Sequence, residues 1–287
     1  MASIRILRRR IKSAKNIAQI TKAMELVAAS KMKKAQAQAL AGKQYAQKIY
    51  EMVTELAQRT DVSNHPYLTR PKTVIGKRLI ILISTTKGLC GGLNSNLFRY
   101  CVKTYPDFQK HDIVTVGKKG SSLAVRLGAK LIADFSETIP FVTGVPAIIE
   151  LAVNEYLAGH YDGVDVIFNE FKSALQQLPK KKTVLPLTIE ASAEKTEKHD
   201  DFSEFVIEPS KNEVFDALLP HYLENQVRDA ILQAEASEQS ARMVAMRNAT
   251  DNALSLIDGL TLMYNKERQA KITFEIADIV TARLAVE

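Results

Sequence analysis

Two stretches, one toward each end of the chain, are too long and too regular to be read as anything but extended helices. From Ile4 to about Gln58 there is no proline and a single glycine, Gly42. Ile4, Leu7, Ile11, Ala14, Ala18 and Thr21 recur at alternating spacings of three and four, the a/d seam of a coiled coil. The seam then reads as drifting to Met24, Val27 and Ala28. Alanine is heavily used from Ala23 to Ala46, which favours helix and lets a second helix approach closely. At 1.5 Å per residue such a helix spans about 80 Å, more than a compact domain requires.

The other end mirrors the first. After Glu208-Pro209-Ser210, the run from Asn212 to about Val280 holds one proline, Pro220, and one glycine, Gly259. Pro220 is expected to start the run or to kink it. Its seam reads as Met246, Ala249, Ala253, Leu256, Leu260 and Met263. Each helix has one apolar stripe and needs a partner to cover it. The segment between them reads as one body that both helices leave and re-enter, so they are expected to pair with each other, antiparallel.

That middle segment alternates strand and helix. Strands are expected at Val74–Ser84, Asp112–Val116, Lys130–Phe135, Val164–Lys172 and Lys182–Ile189. Helices are expected at Asn94–Tyr105, Ser121–Leu127 and Pro146–Ala158. The order is βαβ and implies a mostly parallel sheet. The fold class is therefore α/β: a Rossmann-like domain inserted in an antiparallel coiled coil. The division is 1–59 for the first helix, 70–208 for the α/β domain and 210–287 for the second helix. The polar stretch Ala191–Ser203 reads as a loop.

Candidate chemistry is sparse. Thr85–Asn94, TTKGLCGGLN, follows a strand and precedes a helix, as phosphate-binding turns do. It lacks both GxGxxG and GxxxxGK[ST], and a tight turn explains its glycines as well. Val116–Ser122, VGKKGSS, reads as a surface turn. Cys90 and Cys101 have neither CxxC nor metal-like spacing and read as buried, inert thiols. Carboxylates do not cluster in the α/β segment, and the five histidines are scattered. No cofactor or metal is expected, and the chain reads as a mechanical part, not an enzyme. No apolar run approaches the roughly 20 residues that span a bilayer.

Charge is uneven. Residues 1–59 hold 13 Lys or Arg against three Glu, a net of +10, which leaves −3 for the rest of a chain whose total is +7. Arg5, Arg8, Arg9, Arg10, Lys12, Lys15, Lys22, Lys31, Lys33 and Lys34 carry that excess. An acidic partner is implied, whether nucleic acid, anionic lipid or protein. No aromatic residue occurs between Met1 and Gln44, so base stacking is not available and single-stranded nucleic acid is disfavoured.

Four stretches carry a resemblance. Ile20–Lys34 (ITKAMELVAASKMKK), Lys87–Asn94 (KGLCGGLN), Glu235–Asn252 (EASEQSARMVAMRNATDN) and Tyr264–Val280 (YNKERQAKITFEIADIV) resemble the gamma subunit of F-type ATP synthases. They keep that family's order along essentially the whole chain. The resemblance implies a rotor: a shaft of paired helices inside a hexamer of alpha and beta subunits, its α/β foot against the epsilon subunit and the ring of c subunits. Catalysis is then on beta. Carried over residue by residue, Lys22, Met24 and Lys31 match positions facing an acidic lever of beta. Arg268, Gln269 and Thr273 match positions that meet a loop of beta. Arg242 matches one coupled to the region of Met24. Ile279 and Val280 match the tip in an apolar collar. Phe205, Ile207 and Glu208 match the foot near the c-ring. The chain departs where Thr281-Ala282-Arg283 follows Val280 in place of Gly-Ala. The cysteine-bearing insertion of chloroplast relatives is absent, so no thiol switch is expected. No transit segment is read before Ile4. The resemblance implies a peripheral place on the cytoplasmic face of a bacterial cell membrane, reached through the complex, with no nucleic-acid partner.

Overall fold

A computed structural model describes residues 4–59, 65–69, 75–187, 208 and 210–284. The first helix, α1, covers Ile4–Arg59, 56 residues. The last, α5, covers Lys211–Leu284, 74 residues. Pro220 neither starts α5 nor ends it, but lies inside it. The expected loop Ala191–Ser203 lies outside the described residues. The chain forms two compact units: residues 1–30 with 242–287, and residues 31–241.

In the larger unit the elements between the helices are β1 (Leu79–Ile83), α2 (Leu93–Thr104), β2 (Asp112–Val116), α3 (Lys118–Arg126), β3 (Lys130–Asp134), α4 (Val145–Leu157), β4 (Val164–Phe171) and β5 (Gln177–Leu185). The sheet order is β3-β2-β1-β4-β5. β1 lies parallel to both β2 and β4, β2 is parallel to β3, and β5 runs antiparallel along β4. β5 begins five residues before its expected start at Lys182, because Gln177, Pro179 and Lys181 alternate with the other face on a free edge. Proline and lysine are tolerated there, since among the described residues no strand beyond β5 needs their hydrogen bonds.

β1 (LIILI) is buried at every position, which requires cover on both faces. Its alternation assigns the layers. Leu79, Ile81 and Ile83 join Val166 and Phe168 beneath α4, together with Ile49 and Val53 of α1 and Phe215 and Leu219 of α5. Ile80 and Leu82 join Ile113 and Ile167 beneath α2 and α3. The sheet therefore supplies the apolar cover for the inner parts of both long helices.

Buried charge at the start of the strands ties the layers together. Asp165 on β4 is fully buried and accepts from Arg78 Nη2 at 2.9 Å and from Thr183 Oγ1 at 2.7 Å, with Arg78 Nε and the Tyr105 hydroxyl as further donors. Burial pushes its carboxyl up, but the Arg78 pairing and the Tyr105 and Thr183 hydrogen bonds outweigh that and hold it below the usual carboxylate value. Gly163 makes room for Arg78: a Cβ there would lie 2.6 Å from both Arg78 Nη2 and the Leu185 carbonyl oxygen. Nearby, Asp112 accepts from Lys77 Nζ at 2.8 Å and from the Tyr161 hydroxyl at 2.6 Å.

Asp165→Ala leaves Arg78 without its buried counter-ion and should lower stability by about 3–5 kcal/mol in chemical denaturation. A lowered native pKa means that this contribution is whole at neutral pH and vanishes only as pH falls below the unfolded carboxylate value of about 3.9 and through the lowered native one. Gly117 has φ +101°, and a Cβ would fall 2.2 Å from the Ser84 carbonyl oxygen. Gly117→Ala should therefore cost at least about 1–3 kcal/mol, read from the shift in melting temperature.

Candidate functional site

The glycine-rich turn before α2 is occupied with itself. The Asn94 side chain donates to Thr85 Oγ1 at 2.7 Å and accepts from the Thr85 amide at 3.4 Å. Thr85 Oγ1 in turn donates to the Lys87 carbonyl at 2.8 Å. Leu89 and Gly91 take φ of 63° and 58°, as a tight strand-to-helix turn requires. Cys90 and Cys101 are free and buried, and burial pushes the Cys101 thiol up to about 12, far from a reactive thiolate. His111 is half-buried, accepts from the Arg78 amide at 3.2 Å through Nδ1, and has its pKa lowered, chiefly by burial. Among the described residues no group of three His, Cys, Asp or Glu is arranged to hold a metal. No described helix is long and apolar enough to cross a membrane.

The other candidate is the surface of the two helices. In the smaller unit they run antiparallel, fixed by Thr21 against Thr250 and Glu25 against Arg247. On α1 the buried seam is Leu7, Ala14, Ala18, Thr21, Glu25 and Ala28, with Ile11 half-buried. The three-four repeat does not drift at Met24 as the sequence suggested. It passes one residue later, through Glu25, and Met24 and Val27 are 37% and 57% exposed. On α5 the seam is Met246, Thr250, Ala253 and Leu260, with Ile257 and Tyr264 half-buried. Leu256 and Met263, both expected in the seam, are each 56% exposed. Each has an apolar neighbour one residue on, and Ile257 and Tyr264, one and two heptads from Thr250, keep the phase that the Thr21–Thr250 contact sets.

What remains outside is both basic and apolar. All ten cations from Arg5 to Lys34 that carry the N-terminal excess are exposed. Lys22 is held by Glu25 at 2.9 Å, and Lys31 is exposed. Among these cations lie exposed Ile17, Ile20, Met24, Leu26 and Val27. Arg268, Gln269 and Thr273 are exposed on α5, where Thr273 Oγ1 donates back to the Gln269 carbonyl at 3.0 Å. From Arg268 to Arg283 every residue is exposed, Ile272, Phe274, Ile276, Ile279 and Val280 among them. Arg242 is half-buried one turn before Met246. Glu208 is exposed, while Phe205 and Ile207 lie outside the described residues. Sequence reasoning missed Glu25 and Arg247. A carboxylate in phase with a small-residue seam was the available signal.

Such a surface has the chemistry of an interface, since large apolar side chains grouped beside charge mark contact with a partner. Comparison with known proteins agrees. The family model described as ATP synthase matches residues 3–286. The ATP synthase gamma chain of Opitutus terrae is 44% identical, over 99% of this chain and 99% of that one. That of Herpetosiphon aurantiacus is 42% identical, over 100% and 99%. Among solved structures, a chain of the central stalk and c-ring of Tetrahymena thermophila mitochondrial ATP synthase superposes with a TM-score of 0.57 at 27% identity, over 80% of this chain and 99% of that one. A chain of the Euglena gracilis mitochondrial assembly of OSCP, F1 and c-ring shares the fold, with a TM-score of 0.67 at 20% identity over 99% and 94%. With its seam, its uncovered basic and apolar faces and its full-length relatives, the chain belongs to the ATP synthase gamma-chain family.

Proposed function

We propose that this chain turns as the central shaft of an F-type ATP synthase on the cytoplasmic face of a bacterial cell membrane, with its outward faces running against alpha and beta subunits. As a gamma chain it is a non-catalytic subunit that couples rotation of the c-ring to ATP synthesis or hydrolysis on beta. Its partners are the alpha–beta hexamer, the epsilon subunit and the c-ring. Membrane association is through the complex. The working division is 1–59 and 210–287 for the shaft and 70–208 for the foot.

The observation that carries this reading is the uncovered run from Arg268 to Arg283. A helix with Ile272, Phe274, Ile276, Ile279 and Val280 all in water requires a surrounding surface. Lys22, Met24 and Lys31 are assigned to the acidic lever of beta, Arg268, Gln269 and Thr273 to a beta loop, and Arg242 to support of the Met24 region. Phe205, Ile207 and Glu208 are assigned to the foot at the c-ring. A basic face suits an acidic lever, because long-range attraction acts at every angle of a turning shaft without a close fit.

Two experiments test the reading. Tagged chain expressed with its cognate subunits should recover alpha and beta in excess over itself in a pull-down, and recovery of neither would sink it. Exposed ion pairs are worth about 0–1 kcal/mol each and about 0.5 kcal/mol in the middle of that range, so replacing Lys22, Lys31 and Lys33 together by glutamine should slow ATP-driven rotation by roughly tenfold. Complete arrest of an assembled complex would show charge, not the stiffness of the paired helices, to be the main carrier of torque.

A further inference from the structure

One layer of the helix pair is polar. Glu25 occupies a seam position four residues after Thr21 and is only 5% exposed. Lys22 Nζ meets its Oε2 at 2.9 Å from the same helix, and Arg247 Nε lies 3.4 Å from its Oε1 across the seam. The side chains of both cations are more than half exposed, at 54% and 67%, so each pair is anchored inside and opens to the surface. One turn away the Thr21 and Thr250 hydroxyls meet at 2.7 Å, both buried. Each hydroxyl also lies within hydrogen-bond reach of its own helix, at the carbonyls of Ile17 and Met246.

The apolar layers cannot choose this alignment alone. Ala14, Ala18, Ala28 and Ala253 are small and alike, and the repeat restores itself every heptad. Sliding α5 by one heptad would put Ala253 opposite Glu25 and Ile257 opposite Thr21. The carboxylate would then stay in the seam without its cross-helix cation. Removing one partner of a buried charge is strongly unfavourable, whereas an all-apolar replacement is often neutral or stabilising. A polar group at a seam position is a known way to exchange stability for register.

We infer that Glu25 is a positioning residue: it locks the register of α1 against α5 and holds one cation from each helix, Lys22 and Arg247, at the surface. The basic face is then built from both helices, not from α1 alone. This goes beyond the functional reading and concerns the chain's own helices, so it stands or falls whether or not a beta subunit meets Lys22.

Cross-linking in the full chain tests it. Cysteine in place of Ala18 is combined with cysteine in place of either Ala253, its partner in the observed register, or Leu260, its partner one heptad away. The native thiols are both buried, so a short thiol cross-linker reads the introduced pair. With the polar layer intact, the Ala18–Ala253 pair should cross-link at least about tenfold more than the Ala18–Leu260 pair. With Thr21→Val, Glu25→Leu and Thr250→Val together, that preference should disappear while the melting temperature stays or rises. Retaining Glu25 in the Thr21→Val, Thr250→Val background should keep the preference. The inference is overturned if the all-apolar variant keeps a single register, or if the Glu25-retaining variant loses it. A lower melting temperature for the all-apolar variant would overturn it too, by making the layer an ordinary stabiliser.

Discussion

Each long helix carries an apolar stripe that water will not tolerate, and the rest of the structure depends on how that stripe is covered. Over Ile49–Leu56 of α1 and Phe215–Ile231 of α5 the cover is a sheet whose central strand is buried throughout. There the side chains are large: Phe215, Leu219 and Leu223 share one core with Val53, Ile81 and Val166. Within residues 4–30 and 242–264 the cover is the other helix, and small side chains are frequent there, Ala14, Ala18, Thr21 and Ala253 beside the larger Leu7, Met246 and Leu260. One helix type thus serves two purposes, with larger side chains at the stripe where a sheet covers it and a higher share of small ones where a helix does.

Much of this was legible in the sequence because it is local. Helix length follows from an absence of breakers, and β1 from an apolar run of strand length. β2 matches its expected bounds, Asp112–Val116. What escaped was set by partners distant in the chain. Leu256 and Ile257 are equivalent to a periodicity argument, and only the Thr21–Thr250 contact selects the second. Met24 and Glu25 pose the same choice, and hydropathy favours the wrong one. The carboxylate is buried because Arg247 lies across the seam, 222 residues later. The early start of β5 at Gln177 has a similar origin, since Pro179 and the lysines around it look unlike a strand until β4 pairs with them. Asp165 gave no signal at all, because Arg78, Tyr105 and Thr183 converge on it from three separate elements.

The distribution of side-chain size in the helix pair is inverted relative to an ordinary bundle. In a self-sufficient coiled coil the large apolar residues lie in the seam and the surface is polar. Here alanine and threonine fill much of the seam, while Ile17, Ile20, Leu26, Val27, Leu254, Leu256, Leu262 and Met263 face outward. A small seam lets the backbones approach closely and makes a slender, stiff pair, but it contributes little burial per layer. Apolar surface of about 25 cal/mol per Å² is left on the outside, to be recovered only against other molecules. Isolated exposed leucines need no explanation, but a run of them along two paired helices does. Outward isoleucine and leucine without a deep knob-and-hole pattern provide adhesion without a unique docking angle. Interspersed lysine and arginine keep that surface hydrated and repel a second copy of the same chain. A pair of helices built in this way is suited to being enclosed while remaining free to turn.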